Sequence, residues 1–250
     1  MQNTRTLLLG NNAPIRNNLQ ARLGSSAMVA GESDDYEQIV KSITTIIVTS
    51  IELNTQHEQV LQLILNTSTN HLSIIRIVSL QDSLLTRSTN SLEKILRNGQ
   101  LNGLMDVITI HAPFFYEDLI TDRDSFFIND INTTLHIVKY YGDGDMRLPI
   151  ISRGDLISYI ECCLVLLNEN HIATTEKKHL YIRGDLIRLE YIIATLFGRG
   201  FQYENVSGRP GEERLAVKCS RLVQKYESVR VDNLLFPSVH PLRWIEFLSH

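Results

Sequence analysis

Cysteine is scarce. There are three in 250 residues, two of them adjacent at Cys162 and Cys163, so no disulfide framework is expected. No apolar run approaches the roughly 18 residues of a membrane-spanning helix. The N-terminus lacks a basic segment followed by an apolar core, so no secretory signal is expected. No block of lysine or arginine stands out and the net charge is −4, which removes the electrostatic ground for nucleic-acid binding. The eight histidines show no His-x-x-x-His spacing with a nearby acid, so no metal site is expected. What is present is an ordinary globular balance of 43% hydrophobic and 21% charged residues, enough for a sizeable core. The expectation is a soluble cytoplasmic protein with a small-molecule partner, no nucleic acid and no membrane; a homo-oligomer stays open.

The first half alternates strand and helix signals. Strands are expected at "TLLL" (6–9), "AMVAG" (27–31), "TTIIVTS" (44–50), "LSIIRIVSL" (72–80) and "LMDVITIHA" (104–112). Between them lie helical stretches: 15–23 with Ile15, Leu19 and Leu23 on one face, 33–43 after Ser33, 55–69, and 88–99 stopped by Gly99. Strands separated by helices of this length imply right-handed βαβ units and a parallel sheet. The second half is less regular, with strands expected at 133–142, 178–184 and 201–207 and helices at 152–168, 185–200 and 240–249. The fold class expected is α/β, a Rossmann-like doubly wound parallel sheet. Residues 1–177 form its core and 178–250 mainly a small C-terminal cap, within one domain.

Four stretches, in order, resemble the NmrA-like group of atypical short-chain dehydrogenases. "DVITIHAPFFYEDL" (106–119) is similar to the family's strand and Arg-Pro-Gly-x-Phe-x-Glu-Asn turn. "GDGDMRLPIISRGDLISYI" (142–160) is similar to its glycine-rich turn, strand and Arg-Asp-Ile-Ala helix start. "HLYIRGDLIRLEYIIATLFGRGFQYENVS" (179–207) and "HPLRWIEFL" (240–248) are similar to its later strand–helix–strand and closing helix. The resemblance implies a Rossmann-like fold, and either NAD(P)H-dependent reduction or non-catalytic redox sensing.

Departures from that family fall on cofactor use. Its first turn reads Gly-x-x-Gly-x-x-Gly; here the three positions are Gly10, Ala13 and Arg16. The glycines serve a tight turn, close approach to pyrophosphate, and close helix–strand packing. Ala13 adds a Cβ and Arg16 a long charged side chain, and Pro14 removes an N–H from a turn that binds phosphate with such groups. One alternative stays open, that Arg16 pairs with a phosphate. A strand–helix unit is also missing after "AMVAG", where a ribose-binding acid belongs. Glu32 stands there as an imitation of that acid, as the match to the family's acid after a later strand, or as a solvated or capping carboxylate. No tyrosine has a lysine four positions on, and Thr89 stands where the family has His or Lys ahead of its helix glutamate, here Glu93. The expectation is therefore no cofactor, with NADP or NAD as the alternative.

Ligands of open α/β sheets bind beyond the carboxyl ends of the strands. Ser79, Asp82 and His111 lie at such ends, with Phe114, Phe115 and Tyr116 following and Arg153 and Asp155 opening a later helix. His111 is the candidate acid–base group, with Tyr116, Asp82 and Ser79 as catalytic partners and Phe114, Phe115 and Arg153 as substrate-binding residues. The plain alternatives are a strand-end hydrogen bond for His111, core packing for the phenylalanines, a helix-start carboxylate for Asp155, and packed rather than reactive Cys162 and Cys163. Three functions follow: a cofactor-independent enzyme cyclising, isomerising or dehydrating an apolar oxygenated intermediate; a non-enzymatic sensor or scaffold; or an NAD(P)H reductase with an atypical phosphate loop.

Overall fold

The structure is a computed structural model. It describes residues 5–30, 42–49, 53–68, 71–85, 91–121, 128–140, 144–168, 178–198, 200–205 and 213–249. In chain order the elements are β1 (Arg5–Leu9), α1 (Ala13–Leu23), β2 (Ala27–Val29), β3 (Ile43–Val48), α2 (Thr55–Thr67), β4 (Leu72–Ser79), α3 (Leu80–Leu85), α4 (Ser91–Leu101), β5 (Met105–Ala112), β6 (Phe114–Phe115), α5 (Tyr116–Thr121), β7 (Ile128–Asn132), β8 (Ile137–Tyr140), β9 (Arg147–Ile151), α6 (Arg153–Asn168), β10 (His179–Tyr181), β11 (Asp185–Arg188), α7 (Leu189–Phe197), β12 (Gln202–Asn205), α8 (Glu213–Ser228) and α9 (Trp244–Leu248).

Two compact units share the chain: residues 1–111 with 157–180, and residues 112–156 with 181–250. The result is an interleaving of the two along the chain. Its cause is long-range pairing, since β9 takes β11 as its antiparallel partner and β8 takes β12 as its parallel one.

The first unit is built on a sheet of order β10-β5-β4-β3-β1-β2. β1 pairs in parallel with β2 on one side and β3 on the other, and β3 with β4. That reversal about β1 is the doubly wound α/β arrangement expected from the alternating signals. Among the described residues, β2 with its three residues is the strand outside β1. The helix expected at 33–43 lies outside the described residues. Strand alternation sends Leu7, Leu9, Ile46, Val48, Leu72, Ile74, Met105 and Val107 to one face. There they form a buried cluster with Val60, Leu61 and Ile64 of α2 and Leu92 and Leu96 of α4. α1 belongs elsewhere: its Arg22 is paired with Glu161 of α6 at 2.8 Å.

The second unit carries two small sheets, β11-β9-β6 and β12-β8-β7. The strand expected at 133–142 is β8, shorter at Ile137–Tyr140, and β7 precedes it as a hairpin partner. β7 and β8 are antiparallel, and the turn between them is held by Asn132 Oδ1 accepting from the Leu135 N–H at 2.9 Å. The helix expected from residue 185 starts later. Asp185–Arg188 is strand β11, in register with β9 from Asp185 opposite Ile150 to Arg188 opposite Arg147. Gly184 permits that approach, because a Cβ there would lie 2.9 Å from the Ile150 carbonyl oxygen. α8 and the short elements β6, α3 and α5 are additions to the sequence reading.

Candidate functional site

The first turn is where a Rossmann sheet meets its ligand. β1 ends at Gly10, whose φ of 117° is open only to glycine at low cost. Its N–H donates to Nδ1 of His57, a buried side chain in the first turn of α2, at 3.3 Å. Its carbonyl accepts from Nη1 of Arg16 at 3.1 Å. The N–H of Ala13 goes to the Asn11 carbonyl at 2.9 Å and that of Arg16 to the Asn12 carbonyl at 3.0 Å. The Asn12 side chain caps α1 by accepting from the Ile15 N–H at 3.3 Å. Pro14 has no N–H to give.

A nicotinamide dinucleotide, the cofactor implied by the fold, is held at this turn by N–H groups aimed at its diphosphate. Here each N–H from Ala13 to Arg16 is already used inside the protein, as is that of Gly10. Arg16 lies across the turn, bound to its backbone, with its Nε buried and unpartnered. A dinucleotide diphosphate entering this turn would meet these engaged donors and the Arg16 side chain. His57 completes the arrangement. Burial, and then the Arg16 cation, lower its pKa from 6.5, while a backbone hydrogen bond at Ala30 acts the other way.

At the other strand ends of the first unit, Ser79 is buried at the end of β4 and its carbonyl accepts from Ser83 Oγ at 2.9 Å. Asp82 lies in α3 with its side chain outside the described residues; Glu32 and Thr89 lie outside them altogether. His111, at the end of β5, is hydrogen-bonded to His179 of β10, Nε2 to Nδ1 at 3.0 Å, with the rings stacked at 5.3 Å. In that contact one ring donates and the other accepts, so a neutral nitrogen is required on one of them.

The remaining sequence-derived residues belong to the second unit. Tyr116 is fully buried against Phe247, at 4.9 Å between ring centroids, and Trp244, at 5.5 Å. Its hydroxyl donates to the Leu242 carbonyl at 2.9 Å. Burial first, then the carboxylates of Asp185 and Asp155, raise its pKa well above the ordinary phenol value. Phe114 and Phe115 are buried in the core, and the Arg153 guanidinium sits 5.3 Å from the Phe115 ring centroid. Arg153 is ion-paired with Asp118, and its N–H donates to Glu117 Oε1 at 2.9 Å. Burial raises the Glu117 pKa, against the opposing pull of backbone hydrogen bonds and of Arg153. Asp155 takes its plain role. Ser152 Oγ donates to its Oδ2 at 2.6 Å and accepts its N–H at 2.9 Å, a reciprocal cap on α6. The same carboxylate accepts the Leu242 N–H at 3.1 Å. Tyr116, Phe115 and Asp155 thus already have structural work within their unit.

Cys163 is buried and its thiol is pushed up to about 12 by burial, with Cys162 adding to the effect. Cys219 is raised to about 12 by burial as well. Among the described residues no group of three His, Cys, Asp or Glu side chains is placed to hold a metal ion. No described helix is long and apolar enough to cross a membrane.

Sequence reasoning missed His57, His179 and Arg76. Their roles depend on contacts across the sheet. The one local signal is Arg76, a charge inside the otherwise apolar run of β4.

No family model matches the sequence, and no curated protein does. Solved structures do. AtPrR2 in its apo form superposes with a TM-score of 0.56 at 13% identity, over 98% of this chain and 90% of its own. An isoflavone reductase gives 0.56 at 12%, over 98% and 90%. The GalE-like L-threonine dehydrogenase from Cupriavidus necator, apo form, gives 0.53 at 14%, over 85% and 87%. Likeness at such identities establishes the fold: the chain is Rossmann-like, as the NmrA-like resemblance implied, and reductases and dehydrogenases share that architecture.

Proposed function

We propose that this chain is a small-molecule-binding protein on a reductase fold, working without a dinucleotide at its first turn. It is a ligand sensor or scaffold rather than a hydride-transfer enzyme. The observation that carries this is how many of the turn's donors are already engaged. The donors of Gly10, Ala13, Ile15 and Arg16 are engaged by His57, Asn11 and Asn12, and Arg16 is tied to Gly10. A diphosphate would have to displace several of these hydrogen bonds, each contributing about 1 kcal/mol net, before gaining any of its own. The acid–base cyclase expectation built on His111 draws nothing from the structural neighbours. In the structure the His111 Nε2 is hydrogen-bonded to His179.

The second reading is an NAD(P)H-dependent reductase. It is favoured by the names of the neighbours, a reductase and a dehydrogenase, and has better support than the cyclase. One titration separates the two. NADPH and NADH are added to the full chain and to Arg16→Gly, followed by nicotinamide fluorescence. The expected result is no saturation of the wild-type chain in the micromolar range. Micromolar binding by the wild-type chain would replace the proposal with the reductase reading.

A further inference from the structure

The first unit has a second concave site, on the sheet face covered by α2 and α4. Leu72 and Ile74 of β4 and Met105 and Val107 of β5 pack there under Leu92 and Leu96. Two residues further along each strand, the same alternation brings Arg76 and Thr109 to that face. The face turns polar there and opens into a groove of about 490 Å³.

Charge in the groove runs against that of the whole chain. Among the described lining residues, Arg76, Lys94, Arg97 and Lys178 bring four cations and Glu93 one carboxylate, in a protein of net charge −4. Lys94 and Arg97 are three apart on α4 and so share a side of the helix. Among the described residues neither of them, nor Lys178, has an ion-pair partner.

Arg76 is the decisive group. It arises from the middle of a buried strand and is only 8% exposed. Its Nη1 reaches Glu93 Oε1 at a long 3.4 Å, and that carboxylate is itself 53% exposed. Its Nε is buried with no hydrogen-bond partner. A guanidinium this deep needs full pairing to offset desolvation, and one loose contact to a half-exposed carboxylate leaves it incomplete. The fork formed by Nε and an Nη is suited to two oxygens of one anion. Three further cations around it favour a dianion over a single carboxylate. The volume exceeds that of bare phosphate and falls in the range of metabolite sites, with Leu96 and Val107 offering apolar wall.

We propose that this groove binds the phosphate group of a phosphorylated small molecule, anchored by Arg76 and held by Arg97 and Lys178. The site lies wholly within the first unit and does not rest on the reading of the first turn.

The test uses the full chain, ¹⁵N-labelled, with inorganic phosphate and glucose 6-phosphate as probes. Citrate serves as the carboxylate arm and sodium chloride matches ionic strength. The readout is the arginine Nε–H resonances, with Arg76 assigned through Arg76→Lys. Both phosphates should shift the Arg76 Nε–H saturably, with a Kd in the millimolar range or tighter. Arg97→Gln and Lys178→Gln should each weaken binding about tenfold, the factor carried by one charge-assisted hydrogen bond. Arg22→Gln, outside the groove lining and bound to Ser158 and Glu161, should leave it unchanged. If Arg76→Lys does not fold, calorimetry on the two surface variants decides the matter. No saturable shift, an equal shift with chloride, binding of citrate alone, or wild-type affinity in Arg97→Gln and Lys178→Gln would overturn the site.

Discussion

Acid should loosen the first turn through one side chain, His57. In the neutral ring Nδ1 accepts the Gly10 N–H. Protonation converts that acceptor into a donor facing a donor and sets a second cation near Arg16. Burial, then Arg16, lower the folded pKa below the reference of 6.5, so between the two values the unfolded chain binds the proton more readily. Stability is therefore fully present above pH 6.5 and falls as the pH drops toward the lower folded value. One proton gives a slope of at most about 1.4 kcal/mol per pH unit, flattening once the folded ring also titrates. The assay is urea unfolding at half-unit steps from pH 8 to pH 5, for the wild-type chain and for His57→Gln, whose amide oxygen can still accept from Gly10. The wild type should lose stability more steeply below pH 6.5, while the other histidines, including His71 paired with Asp106, contribute equally to both proteins. Parallel pH–stability curves would refute the reasoning, since they would mean His57 takes up its proton equally in both states.

Two further outcomes follow from the geometry. Asp155→Ala removes the reciprocal cap with Ser152 and leaves the Leu242 N–H without its acceptor. It should cost about 2–3 kcal/mol in urea unfolding, and a change under 0.5 kcal/mol would deny Asp155 its anchoring role. With Cys163 and Cys219 pushed up to about 12, a disulfide reagent at pH 8 should label Cys162 first, and all three thiols only after denaturation. Rapid reaction of two thiols in the native chain would contradict their burial.

The central sheet was legible because β1, β3, β4 and β5 are short, β-branched or leucine-rich runs buried on both faces, which a parallel sheet requires. α8 was equally open to reading. Among its described side chains Cys219, Val223 and Tyr226 are buried, spaced i, i+4 and i+7 in the sequence. Asp185–Arg188 was not legible, because an Asp followed by Leu-Ile looks like a helix start and only its distant partner β9 makes it a strand. That Ala13 and Arg16 are not glycine could be read directly. What fills the turn could not, because His57 stands 47 residues from Gly10 and reaches it only once α2 is placed beside β1. Ser79 and His111 were correctly set at strand ends. The His179 partner comes from a strand 68 residues later in the chain, beyond any local pattern.

The interleaving of the two units has a consequence for how the polypeptide is made. β10, the edge of the large sheet, leaves the ribosome only after residues 112–156 have been synthesised, although those residues belong to the other unit. No continuous gene fragment therefore encodes the first unit alone. A truncation just before residue 178 would expose the hydrogen-bonding edge of β5 and make that fragment prone to pairing with a neighbouring chain.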